Sequence, residues 1–458
     1  MRKLRFFVLF SLLVTSALAQ PLPGVFSGPM LGEVTPNSAR IWLQTEAPTK
    51  VQLKVTSPQT FTLQMRTTEA GHRIATFELA NLQPNQRYTY ELQVDTLAAQ
   101  PFHFTTAPEI GAATDVSFTL GSCKLVTGNM YKDPRRSKRR KYRIYREIAE
   151  LEPQLMFWLG DYVYMRANDH GDTARVYRRY SFNRALPSMQ PLLHHTANLA
   201  ILDDHDFGPD DADSSFKYKA LNQQAFKDFW PNGQFGEATL TGTERLYQYA
   251  DLDFFMTDNR SKRCNPQLPE ALHDSTASAL KRKRLAKKNR HLRTDGQAMG
   301  PAQLKWLIEG LQNSTASFKF ILMGSQFLNN AEKTFFGYNS NFYHVSKREY
   351  NALINAIDSL QIRNVVILSG DRHFAEAFEY RTPNNNIRML ELTYSGLSSP
   401  NIQLFSREKT DRRVEGSYFG KKNFGFVEVS GPAGQRELRV KTYNKRGKVK
   451  RTFRWVME

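Results

Sequence analysis

Side chains of the types that bind metals in proteins follow five apolar runs of this sequence. Each run is short and apolar, as buried β-strands are. The polar segments that follow the runs are residues 121–123 (Gly-Ser-Cys), 160–164 (Gly-Asp-Tyr-Val-Tyr), 203–206 (Asp-Asp-His-Asp), 258–260 (Asp-Asn-Arg) and 369–373 (Ser-Gly-Asp-Arg-His). Thiol, phenol, imidazole and carboxylate groups gathered in one place favour metal binding.

These segments are scattered over about 250 residues, but the topology of an α/β sheet would bring them together. In such sheets, ligands bind beyond the carboxyl ends of the strands. Buried carboxylates that meet there repel one another and stay protonated unless positive charge neutralises them. One ion would leave many of these groups unused, whereas two ions about 3.5–4 Å apart are a common device for hydrolysing phosphate esters. The sequence therefore predicts a two-metal site that cleaves phosphate esters.

The elements before this region differ from those that would carry the site. Between residues 24 and 107, short segments with alternating apolar and polar residues are separated by Pro, Asn and Gly. This pattern predicts an antiparallel β-sandwich. Residues 82–88 resemble the tyrosine-corner segment of fibronectin type III domains, in which a Tyr hydroxyl, here that of Tyr88, bonds back to the backbone.

After residue 108 the pattern changes to apolar strands that alternate with helices. Ile144, Ile148 and Leu151 have helical spacing, and a second helical pattern covers residues 304–311. This alternation predicts an α/β domain. The region from about Cys264 to Met299 is basic and polar, and we expect it to be a long, partly helical insertion.

The first nineteen residues have the features of a secretory signal. Basic residues precede an apolar run at residues 6–14, and a small-residue ending, Ala17-Leu18-Ala19, follows it. A retained N-terminal membrane anchor is the alternative. No later run approaches the roughly 20 apolar residues of a transmembrane helix. We therefore expect a signal peptide (residues 1–19), a sandwich (20–108), an enzymatic domain (109–458), and an exported protein in the periplasm or outside the cell.

The charge of the chain favours anionic ligands. It has 63 Lys and Arg against 44 Asp and Glu, a formal net charge of +19. The basic runs lie at residues 135–141, 281–284 and 445–451. They could bind phosphate esters, anionic lipid or nucleic acid, or they could be solvated loops. There are two cysteines, Cys123 and Cys264, and in an exported protein a disulfide between them competes with metal binding by Cys123.

Four of the polar segments, at residues 121–123, 160–164, 203–206 and 369–373, together with the sandwich placed before them, resemble the PhoD-like alkaline phosphatases. These belong to the calcineurin-like metallophosphoesterases and are similar to purple acid phosphatases. The resemblance covers nearly the whole mature chain. It implies an α/β metallophosphoesterase domain with a β-sandwich core after a small fibronectin-III/Ig-like β-sandwich. It also implies phosphomonoesterase or phosphodiesterase activity with ferric iron, Fe(3+), and calcium, Ca(2+), or another divalent ion.

The resemblance assigns a metal-binding role to six residues. Asp161 corresponds to the carboxylate that bridges both metals, and Tyr164 and Cys123 correspond to the phenolate and thiolate ligands of the iron. Asp204 stands where related enzymes have a metal-binding Asn. Asp371 and His373 match the final metal-binding pair, although Asp371 replaces a His of the wider superfamily. Anionic phenolate and thiolate suit a trivalent ion, and hard carboxylate oxygens suit calcium or magnesium.

Three further residues are candidates for catalysis. The resemblance implies that His205 steadies the substrate or protonates the leaving oxygen. Arg260 and Arg372 are candidate phosphate clamps, because guanidinium groups match phosphate oxygens. Asp204 and His205 could instead form hydrogen bonds in the core, and either arginine could form a surface ion pair. Gln326, at the end of another apolar run, is a candidate for an additional ligand.

The mechanism that follows is attack on phosphorus by a metal-activated hydroxide, with His205 assisting the leaving group. We expect a phosphate ester substrate, small, lipid or polymeric, and no obligate nucleic-acid partner. One alternative is a diesterase, phospholipase D-like, that acts on lipid, nucleic acid or an envelope polymer. Another is an exported binding or adhesion protein that has lost its activity. The sequence gives no oligomeric state.

Overall fold

The computed structural model describes residues 22–136, 142–239, 241–265, 295–331, 341–400 and 408–458. The predicted signal peptide, the basic run at residues 281–284 and most of the predicted insertion after Cys264 lie outside these ranges. No helix among the described residues is long and apolar enough to cross a membrane.

The N-terminal part is a sandwich of two antiparallel sheets. One sheet has the strand order β1-β2-β5 and the other β4-β3-β6-β7. The strands are β1 (Val25–Val34), β2 (Ala39–Thr45), β3 (Lys50–Ser57), β4 (Phe61–Arg66), β5 (Ile74–Leu79), β6 (Arg87–Val94) and β7 (Gln100–Thr105). Alternating burial along β6 matches the period of two in the sequence. The tyrosine corner is present, because the backbone N–H of Gln83 donates to the buried Tyr88 hydroxyl at 2.8 Å.

The larger part contains two six-stranded mixed sheets. Their strands are β8 (Val116–Gly121), β9 (Leu155–Leu159), β10 (Ala197–Ile201), β11 (Arg245–Tyr249), β12 (Leu252–Met256), β13 (Phe318–Met323), β14 (Val365–Ser369), β15 (Ala375–Arg381), β16 (Arg388–Tyr394), β17 (Asn423–Ser430), β18 (Glu437–Asn444) and β19 (Val449–Val456). One sheet has the order β10-β9-β8-β17-β18-β19 and the other β11-β12-β13-β14-β16-β15. Strands β8, β9 and β10 are parallel to one another, as are β12, β13, β14 and β16.

Aromatic side chains fill the space between these two sheets. The ring centroid of Phe118 on β8 lies 5.5 Å from that of Phe254 on β12 and 5.2 Å from that of Phe320 on β13. Phe157 on β9 lies 4.6 Å from Phe254. All four rings are buried, and rings at these separations pack favourably. The predicted α/β domain with a β-sandwich core is therefore confirmed.

Helices cover the outer faces of the sheets. Those that the structure describes are α1 (Ile144–Ala149), α2 (Thr173–Arg184), α3 (Gln190–His195), α4 (Asp204–Phe207), α5 (Lys219–Phe229), α6 (Pro301–Asn313), α7 (Phe342–Val345) and α8 (Lys347–Ser359). Helix α6 starts with Pro301 and buries Leu307 and Leu311, as the helical pattern predicts. Helix α8 is capped by the Ser346 hydroxyl, which accepts from the backbone N–H of Glu349.

The N-terminal sandwich packs against the larger domain through polar contacts as well as apolar ones. The indole N–H of Trp42 donates to the backbone carbonyl of Asp228 at 2.8 Å, and the hydroxyl of Tyr247 donates to the carbonyl of Val34 at 2.8 Å. Glu33 forms a buried ion pair with Arg245. The predicted boundary at residue 108 falls between β7 and β8.

Candidate metal centre

All five apolar runs identified in the sequence form strands, and their carboxyl ends lie at one edge of the two sheets. Strands β8, β9 and β10 deliver Cys123, Asp161 and Asp204, while β14 delivers Asp371 and His373. Donor atoms of these residues fall into three overlapping groups, and within each group they lie within 4.8 Å of one another. The groups are Cys123, Asp161 and His373; Asp161, Asp204 and His205; and Asp203, Asp204 and Asp371. Two of the groups share Asp161, which lies where a bridging carboxylate would be needed.

The first group also includes Tyr164. Its hydroxyl donates to Oδ2 of Asp161 at 3.0 Å and lies 3.3 Å from Nε2 of His373. The Cys123 sulfur lies 3.4 Å from the same Asp161 oxygen. The structure therefore brings together the four groups that the resemblance assigns to the bridged iron site. That they bind metal stays a prediction.

The second and third groups lie at the start of α4. Oδ1 of Asp161 accepts from the backbone N–H of His205 at 3.3 Å, and Oδ2 of Asp204 accepts from the backbone N–H of Asp211 at 2.8 Å. The His205 ring packs against that of Tyr164 at a tilt of 32°, with centroids 4.1 Å apart, and its Nε2 lies 3.8 Å from Oδ1 of the exposed Asp210. His205 is only partly buried, so it can reach a substrate, although its place in the second group also makes it a possible ligand.

The backbone at these strand ends is strained. Cys123, Asp161, Asp371 and His373 have φ values of 55°, 55°, 66° and 61°. Residues other than Gly seldom adopt this left-handed region, and each such residue costs on the order of 1–3 kcal/mol. Strain concentrated at four of the six predicted ligands is typical of a functional site, where the fold holds side chains in set positions.

The electrostatics of the cluster call for added positive charge. Burial, and then the neighbouring Asp204 and Cys123, raise the pKa of Asp161 well above its usual range. Burial, followed by Asp203 and Asp204, raises the pKa of Asp371 to about 8. Although burial would raise it, His205 and Arg260 lower the pKa of Asp204 overall. The protein alone thus compensates only part of the charge of its own carboxylates.

The pKa values of the Cys123 thiol and the Tyr164 phenol are also raised by burial and by neighbouring carboxylates. Burial, together with the charge of Asp371, raises the pKa of Cys123 to about 11, and burial, followed by Asp161, raises that of Tyr164 well above its usual range. Both groups would become anionic ligands only in the presence of a strong local positive charge, such as a metal ion. This donor set therefore suits a cation of high charge.

The arginines proposed as phosphate clamps are both buried in ion pairs. Nε of Arg260 donates to Oδ1 of Asp203 at 2.5 Å, and Nη2 of Arg372 donates to Oε1 of Glu408 at 2.5 Å. The side chains of both arginines are 1% exposed. The alternative of surface ion pairs is therefore wrong, since the pairs are internal. A direct contact of either arginine with phosphate stays a prediction.

The structure also bears on the alternative disulfide between the two cysteines and on Gln326 as an additional ligand. Cys123 and Cys264 are both free thiols, the first buried and the second exposed, so the structure contains no disulfide between them. The amide of the buried Gln326 donates to Glu376 and Thr393, at 2.7 and 2.9 Å, within a separate polar network. Gln326 is therefore occupied away from the candidate ligands.

Two kinds of residue at the site were not predicted from the sequence. Ser395 and Ser399, on the loop after β16, bind the Cys123 segment: the Ser395 hydroxyl donates to the Cys123 sulfur at 2.9 Å, and the Ser399 hydroxyl donates to the Cys123 carbonyl at 2.7 Å. Asp203 was seen only as part of a run, yet it lies in the third group of donors. Its buried Oδ2 has no hydrogen-bond partner among the described residues, and an ion beside it would provide one.

The segment at residues 258–260 contributes to the site only through Arg260. The Asp258 carboxylate accepts from the backbone N–H groups of Thr243, Arg260 and Ser261, at 3.0, 3.0 and 2.8 Å. This carboxylate closes a loop. A sequence run cannot distinguish a loop-closing carboxylate from a ligand.

Comparisons with known proteins agree with this architecture. The sequence profile of the PhoD-like phosphatases matches residues 123–442, and a domain of unknown function, DUF7800, matches residues 23–110. No curated protein matches the sequence.

Two solved structures have a similar fold. One, described as the structure of PhoD, is 16% identical with a TM-score of 0.73, over 96% of this chain and 92% of that one. The other, the purple acid phosphatase PPD1 from yellow lupin (Lupinus luteus) seeds, is 11% identical with a TM-score of 0.63, over 93% and 73% of the two chains. With most of its length matched by the family profile, this chain belongs to the PhoD-like phosphatase family and is a phosphoric ester hydrolase.

Proposed function

We propose that the protein is an exported, metal-dependent enzyme that cleaves phosphate monoesters or diesters at a binuclear centre. The observation that carries this proposal is the position of Asp161, which belongs to two adjacent donor groups at the ends of parallel strands. One group contains a thiol and an imidazole, and the other contains a second carboxylate and His205. A carboxylate shared between unlike donor sets is what an asymmetric pair of metals requires.

The chemistry of the donors supports a particular distribution of metals. Cys123, Tyr164 and His373 would hold ferric iron, because thiolate and phenolate compensate a trivalent charge. Asp204 and Asp371 would hold calcium or another divalent ion, because such ions prefer oxygen ligands. When bound, the two ions would supply an activated water as nucleophile and would neutralise charge on the phosphoryl oxygens.

The protein's own residues would perform the remaining tasks. His205 is partly exposed beside the buried ligands, so its ring could protonate the leaving oxygen of the ester. The ring of Tyr164 packs against that of His205. Arg260 holds Asp203 beside Asp204, so its main contribution would be to position a carboxylate.

The proposal that the protein is exported rests only on the sequence features of residues 1–19. Mass analysis of the protein recovered outside the cytoplasm would test it, and we expect the mature chain to begin close to residue 20. A chain that keeps its first nineteen residues would instead support the membrane anchor.

Hydrolysis assays test the enzymatic proposal. The purified protein should cleave p-nitrophenyl phosphate or bis-p-nitrophenyl phosphate, lose that activity after chelation, and regain it when iron and calcium are added back. The ratio of the two rates ranks monoesterase against diesterase. Activity that survives complete metal removal would contradict the proposal.

A second assay tests the role of His205. If its ring protonates the leaving group, His205→Asn should lower kcat far more for phenyl phosphate, a poor leaving group, than for p-nitrophenyl phosphate. An equal loss with both esters would contradict proton donation and favour a role for His205 in metal binding.

A chain without any hydrolytic activity would favour the binding-protein alternative.

A further inference from the structure

A strongly basic pocket lies at one end of β17 and β18. It has a volume of about 370 Å³ and is lined by Lys421, Lys422, Asn444, Lys445 and Arg446. Two cations precede β17 and two follow β18, so the pairing of these strands brings both pairs together. Among the residues that the structure describes, no carboxylate lines the pocket.

The charge of this pocket is uncompensated. Within the part of the chain that the structure describes, none of its four cations forms an ion pair. Elsewhere in the same sheet such pairing is present, since Nζ of Lys441 lies 2.6 Å from Oε2 of Glu428. Burial, and then the charge of Lys445, lowers the pKa of the partly buried Lys422. The fold therefore brings like charges together at an electrostatic cost that a bound anion would remove.

The turn that carries half of the pocket is held in place. The side-chain oxygen of Asn444 accepts from the backbone N–H groups of Arg446 and Lys448, at 2.9 and 3.2 Å, and the backbone N–H of Asn444 donates to the carbonyl of Lys448 at 3.0 Å. Gly447 closes this turn with a φ of 68°. Lys445 and Arg446 thus project from a defined turn.

Asn423 connects the pocket to the loop that contacts the candidate metal centre. Asn423 follows Lys422 directly, and its side-chain amide donates to the carbonyl of Ser395 at 2.7 Å. The Ser395 hydroxyl in turn donates to the Cys123 sulfur at 2.9 Å and accepts from the backbone N–H of His373 at 2.7 Å. Because β17 pairs antiparallel with β8, the end of β17 that carries the pocket lies at the edge of the sheet where β8 leads into Cys123.

We propose that this pocket binds a second phosphate group of the substrate while the first lies at the metal centre. Three lysine ammonium groups and one guanidinium group provide the charge and the hydrogen-bond donors that phosphate oxygens need. The preferred substrates would then carry two or more phosphate groups in one molecule. This inference rests on the proposed function for the position of the first phosphate.

Calorimetric titration of the metal-loaded protein with two inhibitor series tests the inference without requiring turnover. One series is alkane bisphosphonates of increasing linker length, and the other is alkyl monophosphonates of the same lengths. At low salt we expect an optimum linker at which the bisphosphonate binds about tenfold more tightly than its monophosphonate, because the second group binds intramolecularly. The advantage should shrink as salt screens the pocket.

Three variants separate the pocket from the general charge of the protein. Replacing Lys421, Lys422, Lys445 and Arg446 by Gln should abolish the bisphosphonate advantage. Changing the three lysines to Arg, as Lys421→Arg, Lys422→Arg and Lys445→Arg, should keep it. A matched control removes the same number of charges from exposed positions elsewhere and should also keep it: Lys50→Gln, Lys54→Gln, Lys305→Gln and Arg363→Gln.

Two results would overturn the inference. One is the absence of any linker-dependent advantage in a protein that hydrolyses p-nitrophenyl phosphate, which would leave the proposed function intact and the pocket merely solvated. The other is an equal loss of the advantage in the pocket variant and the matched control, which would assign the effect to net charge. Failure of the proposed function would appear separately, as the absence of metal-dependent hydrolysis.

Discussion

The sulfur of Cys123 lies 3.4 Å from Oδ2 of Asp161, at the ends of two adjacent parallel strands. Both residues are buried, and both have positive φ values of 55°. The only other cysteine, Cys264, is exposed and free. The Cys123 thiol is therefore held against a carboxylate. This arrangement suits a metal ion that both groups bind, whereas a disulfide would not require a carboxylate beside the sulfur.

The first prediction concerns this thiol. Cys123→Ser removes a thiolate that would compensate the charge of ferric iron, so we expect iron content to fall and kcat to drop by about 100-fold or more. Cys264→Ser is the matched control and should leave both unchanged, because that thiol is exposed and touches none of the candidate ligands. Iron retained at full occupancy in Cys123→Ser would show that the thiol is not a ligand.

A second prediction concerns the glycine before Asp161. Gly160 has a φ of 84°, and a Cβ atom there would lie 2.4 Å from Cβ of Asp203. Gly160→Ala should therefore push two site segments apart, and we expect losses of both activity and thermal stability. Gly416→Ala is the control, since Gly416 has a φ of 71° but no atom of the described residues lies within 4 Å of the added Cβ. It should cost only about 1–2 kcal/mol of backbone strain and leave kcat unchanged. Equal effects of the two substitutions would refute the steric argument.

The arrangement of the site could be predicted only in part from the sequence. The five polar segments after apolar runs were visible, because a strand ends where its apolar run ends. The loop from Ser395 to Ser399 was not, because it reaches Cys123 from 272 to 276 residues away and short-range patterns contain no trace of such contacts. The internal pairing of Arg260 with Asp203 was also hidden, since it depends on the packing of two different sheets.

The fold, like the site, could be predicted only in part from the sequence. Alternation and helical spacing indicated the sandwich and the α/β domain, and Tyr88 indicated the tyrosine corner. The position of β17 between β8 and β18 could not be read from local patterns, because it joins strands at opposite ends of the domain's sequence. The pairing of β17 with β18 creates the basic pocket. The basic run at residues 445–451 could be identified in the sequence, but its proximity to Lys421 and Lys422 could not.

A third prediction separates the two possible roles of Arg260. Arg260→Met leaves the fully buried Asp203 carboxylate without its partner, and breaking a buried ion pair in this way typically costs about 3–5 kcal/mol. We expect a large drop in thermal stability, much of it restored in the double variant Arg260→Met with Asp203→Leu. A variant that unfolds like the wild type but has a raised KM would instead assign Arg260 to phosphate binding.

A fourth prediction concerns the dependence of stability on pH. Burial raises the pKa of Glu391 from 4.5 to about 7, although its carboxylate accepts hydrogen bonds from Ser369, Phe327 and Leu328. The folded protein holds this proton more tightly than the unfolded chain does. The stabilisation is therefore complete below pH 4.5 and is lost as the pH rises through about 7.

Glu391→Gln should remove this pH dependence. The free energy of unfolding of the wild type relative to the variant should fall by about 3 kcal/mol between pH 4.5 and pH 8. Denaturant titrations across this range measure it, with Glu415→Gln, at an exposed position, as the control. A constant difference between wild type and Glu391→Gln would show that Glu391 is ionised throughout.

The central claim is that Asp161 is shared by two metal ions, and elemental analysis by plasma mass spectrometry tests it most directly. For the wild type we predict about one iron and one calcium or other divalent ion per chain. Asp161→Asn should lose part or all of both metals together, because both sites share this carboxylate, whereas Asp210→Asn, at an exposed position nearby, should keep them. A wild-type protein that binds no metal, or an Asp161→Asn variant that keeps both ions, would contradict the account.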